Sequence, residues 1–509
     1  MSATVTARKA DFPIAILGTG FAGLGLAIRL KQQGREDFVV VERASDVGGT
    51  WRDNTYPGCQ CDIPSHLYSF SFAPNPDWSR LFPTQPEIWD YLRGCADRYD
   101  IRPHIRFDTA VQAAAWDEEQ GFWRVQTSQG ELTATVLVSG QGGLSEPALP
   151  AIPGIETFRG AMFHSARWDH DHDLRGERIA VIGTGASSIQ FIPKIAPDAA
   201  RLTLFQRTPP WIMPHPDRPV RGYEKWLFKH LPFTQKLFRA GIYAFFESRV
   251  LPFTRKPDLM KAGERIALKH MREQIPNDPE LRAKLTPGYR MGCKRILMSN
   301  TYYKALAAPN AEVVTDAITE VREHAIVTAD GTEHEVDTII LGTGFHVADM
   351  PFTDWVTGRG GRTMADVFAG SPQAYLGTTV AGFPNLFLLT GPNTGLGHNS
   401  IVYILESQFN YVLDALRVMR ERGAAIVEVR PEAQERFNAA VQKQMKGTVW
   451  TTGGCASWYI DRNGLNTTLW PGWTWDFRRR TRRFDPAPYV LAPAPTHDPE
   501  PQPAQPVAA

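Results

Sequence analysis

Two glycine-rich turns constrain this chain of 509 residues more than any other feature. The turn at 18–23 follows the apolar run 14–17, and the turn at 183–188 follows the apolar run 179–182. An apolar helical pattern comes after each turn, which is the context that a phosphate-binding strand–turn–helix unit requires. The glycines permit a tight turn, and the N–H groups at the start of the helix attract a pyrophosphate. We therefore predict two dinucleotide sites in an α/β fold.

The residue that follows the second strand of each unit differs in charge. Glu42 follows the run 38–41, and Arg207 follows the run 202–206. A carboxylate at this place accepts hydrogen bonds from a ribose diol, whereas a guanidinium suits a 2′-phosphate. The first turn is therefore predicted to bind an FAD-type or NAD-type dinucleotide, and the second to bind NADPH. Ser188 replaces the third glycine of the second turn and is small enough for close helix–strand packing. Together these features indicate a flavin oxidoreductase supplied by NADPH.

Composition excludes several other classes. The 55 basic and 54 acidic residues leave a net charge of +1, which does not indicate a nucleic-acid or acidic-membrane partner. No stretch of 18 apolar residues predicts a membrane span, and residues 1–10 lack the apolar core of a signal peptide. The five cysteines are scattered, so we expect no disulfide framework and a cytoplasmic location. Cys59 and Cys61 have no second pair, so we assign no metal.

The chain is predicted to form two Rossmann-like dinucleotide-binding domains with an inserted helical subdomain. Strand patterns recur at 136–138, 312–314, 337–341 and 385–390, and a long helix is predicted over 400–422. The predicted segments are 1–150 (FAD-binding domain, first part), 151–212 (NADPH-binding domain, first part), 213–291 (helical insert), 292–383 (NADPH-binding domain, second part), 384–485 (FAD-binding domain, second part, with a mobile loop) and 486–509 (disordered tail).

Two segments invite other interpretations. Residues 238–253 are rich in apolar side chains but carry three charges, which favours an amphipathic, packed helix. A substrate channel or a membrane-surface helix is the alternative for this segment. The arginines within 478–483 are interpreted as a solvated or ion-paired face, because the near-zero net charge does not favour nucleic acid.

A family resemblance becomes specific between the two turns. Residues 158–169, FRGAMFHSARWD, match the FxGxxxHxxxW(P/D) fingerprint of type I Baeyer–Villiger monooxygenases, which are class B flavoprotein monooxygenases. Residues 48–62 resemble the second signature of that family, GGxWxxxxYPGxxxD. The resemblance covers residues 12–485. By this resemblance His164 of the fingerprint has a conformational role and is not a general base.

The resemblance also implies the catalytic residues. Arg295 would stabilise an anionic peroxyflavin and then the charge of the tetrahedral adduct, and Asp62 would orient Arg295. Lys294 would join Arg207 and Thr208 around the 2′-phosphate of NADPH. The alternatives are a surface basic pair for Lys294 and Arg295, and a turn-capping role for Asp62.

Further positions are implied to hold the cofactors. The backbone of Val111 would meet the adenine, and the turn 391–399 would direct backbone N–H groups at the flavin. Trp458 and Tyr459 lie in a glycine-flanked loop that would close over NADP and substrate. The cofactor-binding residues implied by the resemblance are Gly18, Gly20, Phe21, Ala22, Gly23, Glu42, Arg43, Gly49, Thr50, Trp51, Gln60, Cys61, Asp62, Tyr68, Val111, Gly183, Thr184, Gly185, Ala186, Ser187, Ser188, Gln190, Arg207, Thr208, Lys294, Asn393 and Trp458.

The implied activity is an NADPH- and oxygen-dependent FAD monooxygenase that converts ketones to esters or lactones through a flavin peroxide. The first alternative is a flavin-containing monooxygenase that oxidises nitrogen or sulfur, so a sulfide is a second candidate substrate. A reductase or uncoupled oxidase is a further alternative, but Cys59 and Cys61 lack the usual spacing of a redox pair. A silent flavin sensor is disfavoured by Lys294, Arg295 and Asp62. The sequence does not identify the ketone or the oligomeric state.

Overall fold

The computed structural model describes residues 9–347 and 351–495. The strands are β1 (Phe12–Leu17), β2 (Phe38–Val41), β3 (Ile105–Arg106), β4 (Val111–Asp117), β5 (Phe122–Thr127), β6 (Gly130–Ser139), β7 (Ala161–His164), β8 (Arg178–Ile182), β9 (Arg201–Phe205), β10 (Ile212–Met213), β11 (Leu297–Met298), β12 (Ala311–Val314), β13 (Ile318–Arg322), β14 (Ala325–Thr328), β15 (Glu333–Glu335), β16 (Thr338–Leu341), β17 (Val356–Thr357), β18 (Leu386–Leu388), β19 (Ile426–Val429) and β20 (Tyr489–Ala492).

The α-helices are interspersed among these strands. They are α1 (Phe21–Gln32), α2 (Thr50–Asp53), α3 (Gln85–Arg98), α4 (Ala186–Ile195), α5 (Gly222–His230), α6 (Pro232–Ser248), α7 (Met260–Gln274), α8 (Pro279–Lys284), α9 (Tyr302–Leu306), α10 (Phe352–Trp355), α11 (Met364–Phe368), α12 (Ile401–Glu421), α13 (Pro431–Met445), α14 (Val449–Thr452) and α15 (Thr474–Thr481).

The first sheet has the strand order β17-β4-β5-β6-β1-β2-β3, with β18 also paired to β6. Strand β1 is central and runs parallel to β2 and β6. Its side chains alternate between two cores: Ile14 and Ile16 pack with α1 and α12, and Ala15 and Leu17 pack with β5 and β18. Because both faces of β1 are covered, the strand is apolar throughout, and the turn at its carboxyl end begins α1.

The second sheet is wholly parallel, with the order β12-β9-β8-β16-β7. Strand β8 repeats the arrangement of β1. Ile179 and Val181 pack with α4 on one face, and Ala180 packs with β13 and β14 on the other. The predicted α/β fold with two dinucleotide-binding sheets is therefore confirmed.

The inserted segment between β9 and β11 contains α5, α6, α7 and α8. Helix α6 ends at Ser248, inside the segment 238–253 that the sequence predicted to be an amphipathic, packed helix. The buried side of α6 includes Gln235, Phe246 and Glu247. Among the described residues, no helix is long and apolar enough to cross a membrane.

Two predicted segment limits need correction. Strand β17 pairs with β4 of the first sheet, and Phe352 and Met364 lie in the core of that sheet. The chain therefore returns to the first sheet before residue 384, which the sequence could not show because β17 is only two residues long.

The predicted disorder of 486–509 is also wrong for its beginning. Strand β20 pairs antiparallel with β19, and the buried Tyr489 hydroxyl lies 2.8 Å from that of Tyr411. The proline-rich composition predicted disorder, so it did not indicate this short strand with its buried Tyr489 ring. Residues 496–509 lie outside the described residues.

Candidate functional site

The first glycine turn lies against the turn that begins α2. A Cβ atom on Gly49 would stand 3.0 Å from the Cα atom of Gly20, and Gly49 has a φ of +53°. Only glycine suits this backbone conformation and this close approach. The turn 18–23 and the start of the segment 48–62 therefore meet through backbone atoms, with no side chains between them. Together they form one wall of the first predicted site.

Glu42 is buried beside this turn, and protein donors engage its carboxylate fully. Oε2 accepts hydrogen bonds from the N–H and the hydroxyl of Thr19, at 2.9 and 2.6 Å. Oε1 accepts hydrogen bonds from Ala44 N–H and Arg52 Nη1, at 3.0 and 2.9 Å. A further donor can therefore reach this carboxylate only if one of the four moves away, and the Thr19 hydroxyl is the donor that can rotate.

Neighbouring predicted residues border the same wall. The carbonyl of Glu42 accepts a hydrogen bond from Thr109 N–H, which brings the start of β4, at Val111, beside it. Arg43 is partly exposed and pairs with Glu146. These contacts place both predicted positions at the edge of the first turn.

The second glycine turn lies against the loop that follows β16. A Cβ atom on Gly342 would meet the Ser188 hydroxyl, so the serine at the third glycine position packs directly against this loop. Thr184 Oγ1 donates to the carbonyl of Thr208 at 3.0 Å. This hydrogen bond joins the turn to the segment after β9.

Two cations lie near each other at this second site. Burial lowers the pKa of Lys294, and the positive charge of Arg207 lowers it further. Within the described part of the chain, neither side chain forms an ion pair with a carboxylate. Lys294 Nζ stands 5.3 Å from the centroid of the Tyr289 ring. Two neighbouring cations without carboxylate partners create a positive potential that would attract an anion.

Arg295 and Asp62 form a bidentate ion pair. Arg295 Nε donates to Asp62 Oδ2 at 2.6 Å, and Nη2 donates to Oδ1 at 2.7 Å. Burial alone would raise the pKa of Asp62, but the charge and hydrogen bonds of Arg295 hold it below its usual value. The carboxylate in turn raises the pKa of Arg295. The predicted pairing of these two residues is therefore present.

Arg295 also contacts the loops that lie over it. Nη1 donates weakly to the carbonyl of Leu396 at 3.4 Å. Tyr459 is buried, and burial raises its pKa to about 12 although the nearby Arg295 acts to lower it. Trp458 is 48 % exposed. Tyr459 is therefore the side chain of this loop that lies near Arg295. The cofactor-binding residues predicted from the sequence include Trp458 and not Tyr459, because two adjacent aromatic residues do not show which one points inward.

An aromatic group packs beside the first turn. Trp51 Nε1 donates to the Tyr68 hydroxyl at 3.0 Å, and the Tyr68 ring meets that of Phe21 at a centroid distance of 5.0 Å. Burial raises the pKa of Tyr68, so this phenol stays protonated. The three predicted residues form a rigid apolar surface next to the wall of the first site.

Gln60 and Gln190 join the two dinucleotide sites directly. Gln190 Nε2 donates to the Gln60 carbonyl at 2.9 Å, and Gln60 N–H donates to Gln190 Oε1 at 3.3 Å. The Tyr56 hydroxyl also donates to Gln190 Oε1, at 3.0 Å. Both glutamines therefore connect the α4 helix of the second sheet to the 48–62 segment of the first.

The donors of Asn393 are engaged by a neighbouring segment. Its side-chain amide donates to the carbonyls of Asn466 and Leu469, at 2.8 and 2.9 Å, and its N–H donates to Thr467. This residue fixes the turn 391–399 to the segment 466–469. The backbone N–H of Asn393 is thus not directed at a ligand.

The expectation that the cysteines form no disulfide is wrong for one pair. Cys293 and Cys455 are bonded to each other across 162 positions of sequence. The bond joins the residue before Lys294 to the loop that carries Tyr459. Sequence spacing did not predict it because the two cysteines meet only through folding. Cys59 and Cys61 are free and buried.

His164 is buried at the end of β7. Its Nδ1 accepts a hydrogen bond from Ala166 N–H at 3.0 Å, and burial lowers its pKa to about 4. A histidine that is neutral at physiological pH and caps its own backbone is suited to a structural role.

Glu247 is a buried residue that the sequence did not identify. It accepts hydrogen bonds from Asn399 Nδ2 at 2.7 Å and from Thr474 N–H at 2.6 Å, and His398 Nε2 lies 3.6 Å from it. The end of α6 is thereby fixed to the turn 391–399.

An apolar cavity of about 720 Å³ lies between the helical insert and the segment after Asp62. Pro64, Phe82 and Pro216 line one side, and Phe238 and Phe246 of α6 line the other. Pro64 lies two residues after Asp62, so the cavity is next to the loop that carries the carboxylate of the Arg295–Asp62 ion pair.

The arginines within 478–483 were predicted to form a solvated or ion-paired face, and three of the five are ion-paired. Arg478 contacts Glu406 and lies over the Tyr403 ring at 3.6 Å. Arg479 and Arg480 both pair with Asp476.

Comparisons with known proteins identify the family of this chain. A family model described as pyridine nucleotide-disulphide oxidoreductase matches residues 15–240. A protein of Streptomyces coelicolor named Baeyer-Villiger monooxygenase is 55% identical over 484 residues, which cover 95% of this chain and 93% of that protein. A protein of the same name from Pseudomonas aeruginosa is 53% identical over 484 residues, with 95% and 92% covered.

Solved structures of the same kind superpose on the whole fold. An oxidized steroid monooxygenase bound to NADP has a TM-score of 0.83 at 32% identity, and covers 94% of this chain and 99% of its own. A closed structure of cyclohexanone monooxygenase has a TM-score of 0.85 at 28% identity, with 96% and 100% covered. The family that the two signatures predicted is thus confirmed, and the chain belongs to the Baeyer–Villiger monooxygenases.

Proposed function

We propose that this protein is an FAD- and NADPH-dependent monooxygenase that inserts one oxygen atom beside the carbonyl of a ketone. The balanced reaction consumes a ketone, O₂, NADPH and a proton, and yields an ester or lactone, NADP⁺ and water. When bound, FAD would carry the electrons from NADPH to O₂, which supplies the oxygen atom that is inserted. The observation that carries the proposal is the bidentate pair of Arg295 and Asp62, which joins the segment of Lys294 to the 48–62 segment.

The residues present fit the two cofactors. The glycine wall at Gly20 and Gly49 lets a dinucleotide backbone approach closely, and a Cβ atom would obstruct it. Lys294 and Arg207, without carboxylate partners in the described residues, would hold the 2′-phosphate of NADPH. Trp51 and Tyr68 would pack against the flavin ring.

The protein's own contribution to the chemistry is charge, orientation and exclusion of water. The Arg295 guanidinium would stabilise the negative charge that develops on the carbonyl oxygen during oxygen insertion. Asp62 would keep that guanidinium in one orientation. Tyr459 and its loop would cover the site and exclude water, which strengthens every electrostatic contact inside.

The cavity supports an apolar ketone as the substrate class. Its lining is mostly aromatic and aliphatic, and it adjoins the Asp62 loop at Pro64. A ketone with a large hydrocarbon portion would bury that portion here and leave its carbonyl towards Arg295. We also propose a cytoplasmic location, where NADPH is supplied. Cellular thiols would be able to reduce the Cys293–Cys455 bond there.

The test is a panel of ketones with the purified holoenzyme. Cyclic, linear and aryl ketones are incubated with NADPH and oxygen, and the products are measured by mass. We expect a gain of one oxygen atom as an ester or lactone. A sulfide in a parallel tube tests heteroatom oxidation, and sulfoxide formation without any ester from the whole panel would overturn the proposal.

A further inference from the structure

The hairpin of α5 and α6 exposes an unusual number of apolar side chains. Of the 16 large apolar side chains that are exposed among the described residues, six lie between residues 223 and 245. Leu237, Phe233 and Phe245 are 71%, 64% and 61% exposed. The other three are Tyr223, Trp226 and Leu231. Such a concentration on one hairpin indicates an interaction surface, because scattered single exposures would need no explanation.

The exposed charges on the same hairpin are positive. Arg221, Lys229 and Lys236 are exposed to solvent, whereas neither carboxylate of the hairpin is. Glu224 accepts two hydrogen bonds from Arg218, at 2.8 and 2.7 Å, and Glu247 is buried. The net charge of +1 for the whole chain therefore conceals a local surface that is both apolar and cationic.

We propose that the α5–α6 hairpin docks on the surface of an anionic lipid bilayer without crossing it. Aromatic and leucine side chains interspersed with lysines are typical of helices that lie in a membrane interface. Lysines beside such a face are attracted to anionic headgroups. A second copy of this chain is a poorer occupant, since a two-fold contact would bring Lys229 and Lys236 of both copies together.

The docking surface is continuous with the apolar cavity. Leu237 and Phe245 are exposed at the hairpin surface and also line the cavity, whose far side reaches Pro64. Docking would therefore open the cavity to the lipid phase, where apolar ketones are concentrated. This delivery step depends on the proposed function, but docking itself does not.

The experiment is co-sedimentation of the holoenzyme with vesicles. One set contains phosphatidylcholine alone, and the other contains phosphatidylcholine with phosphatidylglycerol. We expect binding to the anionic vesicles. The Lys229→Gln/Lys236→Gln variant should bind about 30-fold more weakly, and Trp226→Ser/Phe233→Ser should lose binding. Lys443→Gln/Lys446→Gln and Trp475→Ser change exposed residues elsewhere in the same way and should bind normally.

Two results would overturn the proposal. The first is that the wild-type enzyme stays in the supernatant with both kinds of vesicle. The second is that the Trp226→Ser/Phe233→Ser variant sediments with anionic vesicles to the same extent as the wild type. If that variant instead converted a dimer into a monomer with no change in sedimentation, the face would belong to a second copy. FAD content, and ester formation from a water-soluble ketone, show separately that each variant is folded and that the oxidation chemistry is present.

Discussion

Asp62 meets the guanidinium of Arg295 through two hydrogen bonds, at 2.6 and 2.7 Å, although the residues are 233 positions apart in sequence. Such fork-to-fork geometry fixes the plane of the guanidinium as well as its position. The third guanidinium nitrogen, Nη1, takes no part in this fork, and its hydrogen bond to the carbonyl of Leu396 is long, at 3.4 Å. That nitrogen is therefore the donor that is freest to serve a substrate oxygen.

Removal of the guanidinium is predicted to separate oxygenation from NADPH use. Arg295→Ala should retain bound FAD and NADPH oxidation, but ester formation should fall about 100- to 1,000-fold, because a preorganised donor to a developing anion is lost. The measurement is ester formed per NADPH oxidised. Arg178, at the start of β8, forms a comparable bidentate pair with Asp337, and Arg178→Ala should leave this ratio unchanged. Normal ester formation by Arg295→Ala would refute the assignment.

The Lys294 and Arg207 pair is predicted to select NADPH over NADH. Each of the variants Lys294→Ala and Arg207→Ala should raise the KM for NADPH about 10- to 100-fold, because each removes a charge-assisted contact to the 2′-phosphate. The KM for NADH should change little, since that cofactor has no phosphate there. Lys304→Ala removes an exposed lysine elsewhere and serves as the control. An equal rise for both cofactors would show a general folding defect and contradict the prediction.

Stability is predicted to fall as the pH drops from 6.5 to 4, in part because of two buried histidines. Burial lowers the pKa of His66 and of His164 to about 4 from the usual 6.5. In this window the unfolded chain binds more protons than the folded protein, so acid favours unfolding. Each histidine contributes a slope of up to about 1.4 kcal/mol per pH unit, and the contribution is constant above pH 6.5.

Urea unfolding at a series of pH values measures this slope. His164→Asn keeps an acceptor for Ala166 N–H but cannot be protonated, so its slope between pH 6.5 and 4 should be smaller by one histidine's share. His230→Gln, at an exposed position, is the matched control. A slope for His164→Asn that equals the wild-type slope would show that this ring is not kept neutral by burial.

The sequence predicted those parts of the site that depend on local pattern. The glycine turns, Glu42 and Arg207 lie in short motifs whose spacing is fixed by strand and turn geometry. The pairing of Asp62 with Arg295 followed only from the family resemblance, because these residues are 233 positions apart. The inward direction of Tyr459 and the use of Asn393 to fix a neighbouring segment depend on how distant loops pack. Single-sequence periodicity contains no information on such contacts.

The Cys293–Cys455 bond is the clearest example of such a distant contact, and it supplies the last prediction. It ties the segment of Lys294 and Arg295 to the loop of Tyr459. Closing a loop of this length restricts the unfolded chain, so loss of the bond should lower the free energy of unfolding by about 2–4 kcal/mol. Urea titration of the wild type with and without dithiothreitol measures the difference.

The Cys293→Ser/Cys455→Ser variant is the control for this measurement. It should match the reduced wild type, and dithiothreitol should not change its stability. The variant should also be cleaved faster by proteases between Gly453 and Tyr459, because that loop would no longer be held against the segment before Lys294. If the variant were as stable as the oxidised wild type and equally resistant to cleavage, the bond would not restrain the loop, and closure over the site would have to depend on the burial of Tyr459 alone.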